Sequence, residues 1–276
     1  MSHDYQHELS VVLPAVREAC SLILEVYPTD FDVDLKQARE PVTIADRRSN
    51  ALIVQRLSAS FPDDGIVAEE SVPADPAVLE ATVRKRRVWF VDPLDGTKEF
   101  IARNGEFAVM VGLAVAGRPV FGVVATPADG LVRIGIPGVR TWIQCADGSE
   151  RDCKVSSVPR LDQATLVVSR SHRSARLTRL IDALGVARTV PCGSVGIKAS
   201  RVASADADLY VYLHSPGGAK LWDSCAPEAL VLGAGGRVTN LDGRLIDYAT
   251  ASLELTGSLI ATNGGLHDSV LARMGP

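Results

Sequence analysis

The sequence feature that most constrains the fold is an apolar run, Val88–Val91, that ends abruptly in two carboxylates, Asp92 and Asp95. Successive apolar residues without alternation predict a strand that is buried on both faces. Pro93 stiffens the backbone between the two carboxylates, and the small residue Gly96 follows them. Asp-Pro and Asp-Gly are also common pairs in turns, so this segment alone is equally typical of a simple turn.

Two further acidic segments favour a functional site over a simple turn. Glu69 and Glu70 follow the apolar pair Ile66-Val67, and Asp223 opens a helical pattern far downstream. Acidic side chains at the ends of apolar segments are unfavourable to cluster unless cations neutralise them. Hard divalent cations such as Mg²⁺ prefer oxygen ligands, so the pattern predicts a magnesium site. Its candidate ligands are the carboxylates of Glu69, Asp92, Asp95 and Asp223 and the carbonyl oxygen of Leu94.

A pair of magnesium ions at this place would suit the hydrolysis of a phosphate ester, because two cations can activate a water and stabilise the leaving oxygen. We expect Thr97 and Glu69 to orient that water and N–H groups near Gly96 to hold a phosphate oxygen. Asp46 would accept a hydrogen bond from the Thr97 hydroxyl. Two alternatives stay open, because Asp46 is also typical of an exposed carboxylate in a first helical turn and Asp223 of a helix N-cap.

The rest of the sequence offers no competing chemistry. His172 and His214 lack a serine or cysteine in a recognisable nucleophile motif, and no Gly-rich nucleotide loop of either common type occurs. The net charge of −4 and the pI near 5.8 lack the electrostatic footprint of a protein that binds nucleic-acid polymers. The predicted partner is therefore a small molecule.

Length and composition predict the size of the core and the cellular compartment. At 276 residues and 46% hydrophobic, the chain can bury a core as one large domain or two subdomains. Five cysteines without a Cys-x-x-Cys pair favour reduced thiols. The polar N-terminus lacks the regions of a signal peptide, and no apolar stretch approaches the roughly 20 residues of a membrane span. We expect a cytoplasmic protein without membrane contact, as a monomer or homodimer.

Hydrophobic periodicity predicts helices and an antiparallel meander in the first half of the chain. Helical patterns cover about residues 7–27 and 43–57, and Pro14 should start or kink the first helix. β-rich segments separated by Gly and Pro cover residues 107–145. These patterns predict an α+β arrangement for this half.

After about residue 155, predicted strands and helices alternate, which is typical of a layered α/β arrangement. The sequence therefore predicts an α/β protein with two subdomains. The first, over residues 1–155, would carry most metal ligands. The second, over residues 156–276, would carry Asp223 and most substrate contacts.

Three separated motifs together resemble those of the inositol monophosphatase superfamily of Mg²⁺-dependent, lithium-sensitive phosphatases. They are Glu69-Glu70, Asp92–Thr97, and Trp222-Asp223 with Gly235-Gly236 after it. The resemblance implies a layered αβαβα sandwich with two or three Mg²⁺ ions and inhibition by Li⁺. It also implies that Glu69, Asp92, Leu94, Asp95 and Asp223 bind metal, while Thr97 and Glu69 activate water.

Within that superfamily, Thr97–Phe100 is similar to the 3′(2′),5′-bisphosphate nucleotidases, where inositol phosphatases usually carry Thr-Asn-Phe. The segments 169–172, 193–198 and 215–228 resemble the same branch. This resemblance implies hydrolysis of the 3′-phosphate of adenosine 3′,5′-bisphosphate to AMP, with action also on 3′-phosphoadenylyl sulfate. The other phosphate needs cationic or N–H donors of its own. The candidate substrate contacts are Gly96, Thr97, Arg170, His172, Gly193, Ser194, Lys198 and Lys220.

Two other functions are compatible with these motifs. An inositol- or sugar-phosphate monophosphatase would use the same metals with a different specificity. A catalytically silent protein that senses phosphorylated nucleotides would bind ligand without releasing phosphate. Lys198 and Lys220 are also typical of solvated surface charges.

Overall fold

The structure is a computed structural model that describes residues 5–35, 41–145, 147–171 and 174–274. Its α-helices are numbered in chain order, and a short 3₁₀ helix, Glu69–Ser71, is left outside that numbering. The helices are α1 Gln6–Val26, α2 Ile44–Ser60, α3 Pro76–Val83, α4 Thr97–Ile101, α5 Ala175–Leu184, α6 Val195–Ala203, α7 Trp222–Gly233 and α8 His267–Met274.

The strands of the described chain form two large sheets and a small hairpin of β1 and β2. The first sheet has seven strands in the order β3-β4-β5-β6-β7-β8-β9, all antiparallel except the parallel pair β3 and β4. The second has five strands in the order β11-β10-β12-β14-β13. The strands are β1 Val33–Leu35, β2 Pro41–Thr43, β3 Gly65–Ala68, β4 Arg87–Asp95, β5 Ala108–Val115, β6 Arg118–Thr126, β7 Leu131–Ile136, β8 Arg140–Gln144, β9 Glu150–Cys153, β10 Thr165–Ser169, β11 Arg188–Cys192, β12 Leu209–Tyr212, β13 Arg237–Thr239 and β14 Leu259–Thr262.

Helices and sheets alternate in five layers, which confirms the predicted αβαβα sandwich. Helices α1 and α2 cover the outer face of the first sheet, with Trp89 and Phe121 in the core between them. Helices α6 and α7 lie between the two sheets, around Phe90 and Tyr210. Helices α5 and α8 cover the outer face of the second sheet, where Leu166 is fully buried.

Helix α7 packs directly on the first sheet because glycines leave room for it. A Cβ atom on Gly112, Gly122 or Gly135 would lie only 2.5–2.6 Å from the backbone of α7. These glycines lie on the adjacent strands β5, β6 and β7. The close approach carries the first turn of α7, which bears Asp223, to the end of β4.

Most predicted elements are confirmed, and the differences have local causes. Helix α1 runs from Gln6 to Val26 with Pro14 inside it, so of the two predicted roles, starting or kinking the helix, Pro14 does not start it. Strand β9, Glu150–Cys153, was not predicted because its charged sequence shows no hydrophobic alternation. Helix α8, His267–Met274, was also missed.

Within the described ranges, no helix is both long and apolar enough to cross a membrane. All five cysteines are free thiols.

Candidate active site

Three acidic side chains from two distant segments meet at the end of β4. Asp92 and Asp95 lie among the last four residues of that strand, and Asp223 lies in the first turn of α7. Carboxylate oxygens of the three residues all lie within 4.8 Å of one another. Asp92 is 2% exposed and Asp95 7% exposed, so water screens their charges poorly.

The electrostatics of this cluster fit a bound cation. Burial, followed by the charges of Asp95 and Glu69, raises the pKa of Asp223 to about 8. Burial and the charges of its acidic neighbours raise the pKa of Asp92 well above its usual value. Burial also raises the pKa of Asp95, although Lys198 and a hydrogen bond from Ser194 oppose this. Three crowded oxygen ligands whose ionisation is unfavourable are the donor set that a hard divalent cation neutralises.

Glu69 faces the same cluster from the segment that follows the neighbouring strand, β3. It begins the 3₁₀ helix directly after β3, and β3 pairs in parallel with β4, so both strands end at the same edge. Its charge contributes to the raised pKa values of Asp92 and Asp223. Glu69 is not one of the three residues whose oxygens lie within 4.8 Å. It therefore borders the cluster with an acidic oxygen of its own.

Thr97 forms the predicted contact with Asp46. Its hydroxyl oxygen lies 3.1 Å from Asp46 Oδ1 and 3.2 Å from the carbonyl oxygen of Leu94. Asp46 Oδ2 accepts hydrogen bonds from the backbone N–H and the hydroxyl of Thr43, in a capping box at the start of α2. Asp46 is therefore a first-turn carboxylate as the alternative held, but it is buried and it also binds Thr97.

The turn after Asp95 requires a glycine. Gly96 has φ +94°, a conformation that side chains with a Cβ disfavour. A Cβ there would lie 2.9 Å from the carbonyl oxygen of Glu106. The turn is therefore held against the segment that leads into β5.

The start of α6 binds Asp95, one of the three carboxylates of the acidic cluster. The Ser194 hydroxyl donates a hydrogen bond to Asp95 Oδ2, and the backbone N–H of Gly196 donates to the same oxygen at 2.7 Å. Ser194 adopts φ +53°, an uncommon conformation for a serine. Although Ser194 was predicted as a substrate contact, its hydroxyl is engaged with Asp95 in this structure.

Two basic candidates, Arg170 and Lys220, already face carboxylates. The Arg170 guanidinium forms an ion pair with Glu106 at 2.7 Å, and Lys220 Nζ lies 3.7 Å from Glu254. Lys198 is buried, and its Nζ lies 5.4 Å from the centroid of the Tyr210 ring. Burial lowers the pKa of Lys198, while the nearby charge of Asp95 opposes that shift. The remaining basic candidate, His172, lies outside the described residues.

The family model described as the inositol monophosphatase family matches residues 4–274. The chain belongs to the inositol monophosphatase family. A family member from Salmonella typhimurium, named 3′(2′),5′-bisphosphate nucleotidase CysQ, is 34% identical over 242 residues, covering 87% of this chain and 93% of that protein. A relative from Mycobacterium leprae, named 3′-phosphoadenosine 5′-phosphate phosphatase, is 31% identical over 253 residues, covering 89% of this chain and 86% of that protein.

Solved structures of the inositol monophosphatase family share the fold. The IMPase of Thermotoga maritima superposes with a TM-score of 0.80 at 23% identity, covering 97% of this chain and 96% of that one. A structure described as an IMPase/NADP phosphatase gives a TM-score of 0.81 at 19% identity, covering 99% of this chain and 97% of that one. The layered architecture is thus that of this family.

Two acidic residues at the candidate site of this chain, Glu106 and Glu99, were not predicted from the sequence. Glu106 binds Arg170 and accepts a hydrogen bond from the Gly193 N–H at 2.6 Å. Glu99 is buried and accepts a hydrogen bond from the Ser171 hydroxyl. Glu99 lies inside the motif that separates the nucleotidases from the inositol phosphatases, so the sequence contained a clue to it. Glu106 contacts residues that are distant in the chain, and no local pattern marks it.

Proposed function

We propose that this protein is a Mg²⁺-dependent phosphatase that removes the 3′-phosphate of adenosine 3′,5′-bisphosphate, giving AMP and phosphate. 3′-Phosphoadenylyl sulfate would be a further substrate. One observation carries the chemistry: Asp92, Asp95 and Asp223 form a buried cluster beside the hydrogen-bonded pair of Thr97 and Asp46. Such a cluster combines a candidate cation site with a hydroxyl held by a carboxylate, and this combination suits metal-assisted hydrolysis.

The choice of substrate is supported by the relatives and by the motif after Gly96. The curated relatives from Salmonella typhimurium and Mycobacterium leprae carry the names of nucleotide 3′-phosphatases, and they match most of this chain. The sequence Thr97–Phe100 is of the nucleotidase type. The conclusion for this chain is a phosphoric monoester hydrolase of the bisphosphate nucleotidase branch.

Mg²⁺ is the proposed cofactor, as two or three ions, and Li⁺ the expected inhibitor. Glu69, Asp92, Asp95, Asp223 and the carbonyl oxygen of Leu94 would hold the metal. When bound, Mg²⁺ would lower the pKa of water and neutralise charge on the phosphoryl oxygens.

The protein's own residues would orient the attacking water. The Thr97 hydroxyl donates a hydrogen bond to Asp46 Oδ1, which leaves the lone pairs of the hydroxyl oxygen free to accept a hydrogen bond from water. The Glu69 carboxylate would accept the other proton of that water. Asp46 is fixed by two bonds from Thr43, so the direction of the Thr97 hydroxyl is set before substrate arrives.

The remaining substrate contacts are proposed as a group. N–H groups at Gly96 would hold an oxygen of the scissile phosphate. Arg170, His172, Gly193, Ser194, Lys198 and Lys220 would surround the rest of the nucleotide. The division into subdomains 1–155 and 156–276, and a monomeric or homodimeric state, also stay predictions. The five free thiols support a reducing compartment such as the cytoplasm.

A panel of phosphate esters tests the proposed function. Phosphate release should be measured from adenosine 3′,5′-bisphosphate, 3′-phosphoadenylyl sulfate and inositol 1-phosphate, with and without Mg²⁺ and Li⁺. We expect the highest kcat/KM on the bisphosphate, no activity in a chelator and inhibition by Li⁺. A higher kcat/KM on inositol 1-phosphate would make the protein an inositol phosphatase. Nucleotide binding without phosphate release would make it a sensor.

A further inference from the structure

Glu106 connects the turn at Gly96 to two segments that bear predicted substrate contacts. Its Oε1 accepts a hydrogen bond from Arg170 Nη2 at 2.7 Å, and its Oε2 accepts from Arg170 Nε at 2.8 Å. The same Oε2 accepts from the backbone N–H of Gly193 at 2.6 Å. The backbone of Glu106 lies so close to Gly96 that a Cβ there would be 2.9 Å from its carbonyl oxygen. One residue, through its side chain and its backbone, therefore links three parts of the site.

The bond to Glu106 fixes the plane of the Arg170 guanidinium. Nε and Nη2 both face the carboxylate, and Nη2 also lies 3.2 Å from the carbonyl oxygen of Pro191. The Arg170 backbone N–H donates to the carbonyl oxygen of Cys192 at 3.0 Å. Among the residues that the structure describes, none accepts a hydrogen bond from Nη1, and the side chain is 44% exposed. The Nη1 edge is therefore oriented yet available to a ligand.

The bond to Gly193 extends this order toward the metal cluster. Gly193 precedes Ser194, whose hydroxyl binds Asp95, so Glu106 and Asp95 hold consecutive residues before α6. A side chain at position 193 would collide with Glu99, and its Cβ would lie 3.0 Å from the Glu106 carbonyl oxygen. The place that Arg170 and Gly193 form is thus rigid and adjacent to the scissile-phosphate site.

Glu106 is ionised at neutral pH, as a fork of this kind requires. Burial opposes its ionisation, but hydrogen bonds from Arg170 and Gly193 outweigh burial and lower the pKa of Glu106. A charged carboxylate that pairs with two N–H groups of a guanidinium attracts it and also fixes its orientation. A flexible arginine held in this way loses less freedom when it binds an anion.

We propose that Glu106 is a specificity-determining positioning residue, which orients Arg170 so that its Nη1 edge binds the phosphate of the substrate that is not removed. This inference rests on the proposed function, because it assumes a substrate with two phosphates. It assigns the 5′-phosphate of the nucleotide to the Arg170 edge, and it gives Glu106 no contact with the substrate itself.

The test compares two substrates that differ only in the 5′-phosphate, adenosine 3′,5′-bisphosphate and adenosine 3′-phosphate. In Glu106→Gln, kcat/KM for the bisphosphate should fall about tenfold relative to that for the monophosphate, mainly through KM. Arg170→Ala should lower the same ratio at least as far. The double variant should be no worse than Arg170→Ala, because Glu106 acts through Arg170. Glu150→Gln is the control: it removes the exposed ion pair between Glu150 on β9 and Arg140 on β8, and it should leave the ratio unchanged.

Two further measurements keep the proposal testable if Glu106→Gln folds poorly or if wild-type protein is inactive. Arg170→Lys keeps the charge without the fork and should lower the same ratio. Calorimetric titration should show weaker binding of AMP, but not of adenosine, to Glu106→Gln than to wild type. The proposal would be overturned if the ratio of kcat/KM values for the two substrates were unchanged in both Glu106→Gln and Arg170→Lys. This holds whether kcat/KM is retained on both substrates or lost equally on both. Wild-type protein that hydrolyses neither substrate would refute the proposed function, while the AMP titration would still decide the role of Glu106.

Discussion

The acidic and basic sides of the site differ in how their charges are balanced. The carboxylates of Asp92, Asp95 and Asp223 crowd within 4.8 Å of one another, and their pKa values are raised. On the basic side, Arg170 is neutralised by Glu106 and Lys220 by Glu254. The acidic side therefore offers a place for a cation from outside the chain, whereas Arg170 and Lys220 already face carboxylates within the chain.

This difference sets how strongly each side should respond to mutation. Removing one of these carboxylates would take away part of the proposed cation site itself. Removing a base changes a contact that the protein has already compensated with a carboxylate, so the net effect on substrate binding is smaller. The predictions below test this contrast, from the largest effect to the smallest.

The largest effect is expected for Asp95→Asn. Turnover with Mg²⁺ should fall about a thousandfold or more, because Asp95 belongs to the central group of oxygens. The fold should persist, since an asparagine can still accept the hydrogen bond from the Gly196 N–H. Steady-state kinetics and thermal unfolding measure both results. Asp268→Asn, at an exposed pair with Arg237, is the matched control. Turnover near that of wild type would contradict the site.

The second effect concerns the Thr97 hydroxyl, which we propose orients the attacking water. Thr97→Val keeps the shape of the side chain but removes the hydrogen bond to Asp46, so kcat should fall about a hundredfold. Thr97→Ser retains the hydroxyl and should keep most of the activity. Magnesium affinity, measured by calorimetry, should change little in either variant. Equal kcat values for Thr97→Val and Thr97→Ser would refute the role of the hydroxyl.

The third effect is a pH dependence of magnesium affinity. The pKa of Asp223 is raised to about 8 by burial and by Asp95 and Glu69, and Mg²⁺ binds the ionised carboxylate. As the pH rises, the apparent Kd for Mg²⁺ should therefore fall about tenfold per pH unit up to about pH 8. Above that pH it should stay constant. Because the pKa is raised in the folded state, the metal-free protein should lose stability as pH rises toward 8, and Mg²⁺ should restore it.

Calorimetric titrations across this range have a control within α7. Burial raises the pKa of Glu228 to about 7, but its hydrogen-bond partners are Tyr248 and Arg118, not the cluster. Glu228→Gln should therefore leave the slope of magnesium affinity against pH unchanged. A wild-type magnesium affinity that is constant from about pH 6 to about pH 8 would show that no cluster proton is displaced.

The smallest effect is expected on the basic side. Lys220→Met should raise KM for adenosine 3′,5′-bisphosphate only about threefold, because Glu254 already neutralises much of the Lys220 charge. Glu254→Gln releases Lys220 and should lower KM slightly. If Lys220→Met instead raised KM a hundredfold or more, the contrast between the two sides would be wrong.

The same contrast explains what the sequence could predict. The acidic residues of the cluster follow strands or open a helix, so local apolar runs and turn pairs in the sequence located them. The contact of Thr97 with Asp46 was also predicted, because each residue lies in a recognisable segment. The basic side depends on pairs such as Arg170 with Glu106, which lie far apart in sequence and carry no local pattern.

Some features of the fold were also beyond local patterns. Helix α7 reaches the end of β4 because Gly112, Gly122 and Gly135 on three neighbouring strands allow close packing. In the sequence, each glycine indicates only a weak strand position. Only the assembled sheet shows that the three glycines together make room for α7. Pro14 lies inside α1, where the packing of α1 on α2 and the first sheet outweighs the missing N–H.

The most direct test of the central claim is the position of the cation. Crystals soaked in Mn²⁺, a divalent substitute for Mg²⁺ that scatters anomalously, would locate it. We predict at least two anomalous peaks bounded by the carboxylates of Glu69, Asp92, Asp95 and Asp223. A map with no peak among these side chains, in crystals that bind Mn²⁺ elsewhere, would contradict the account.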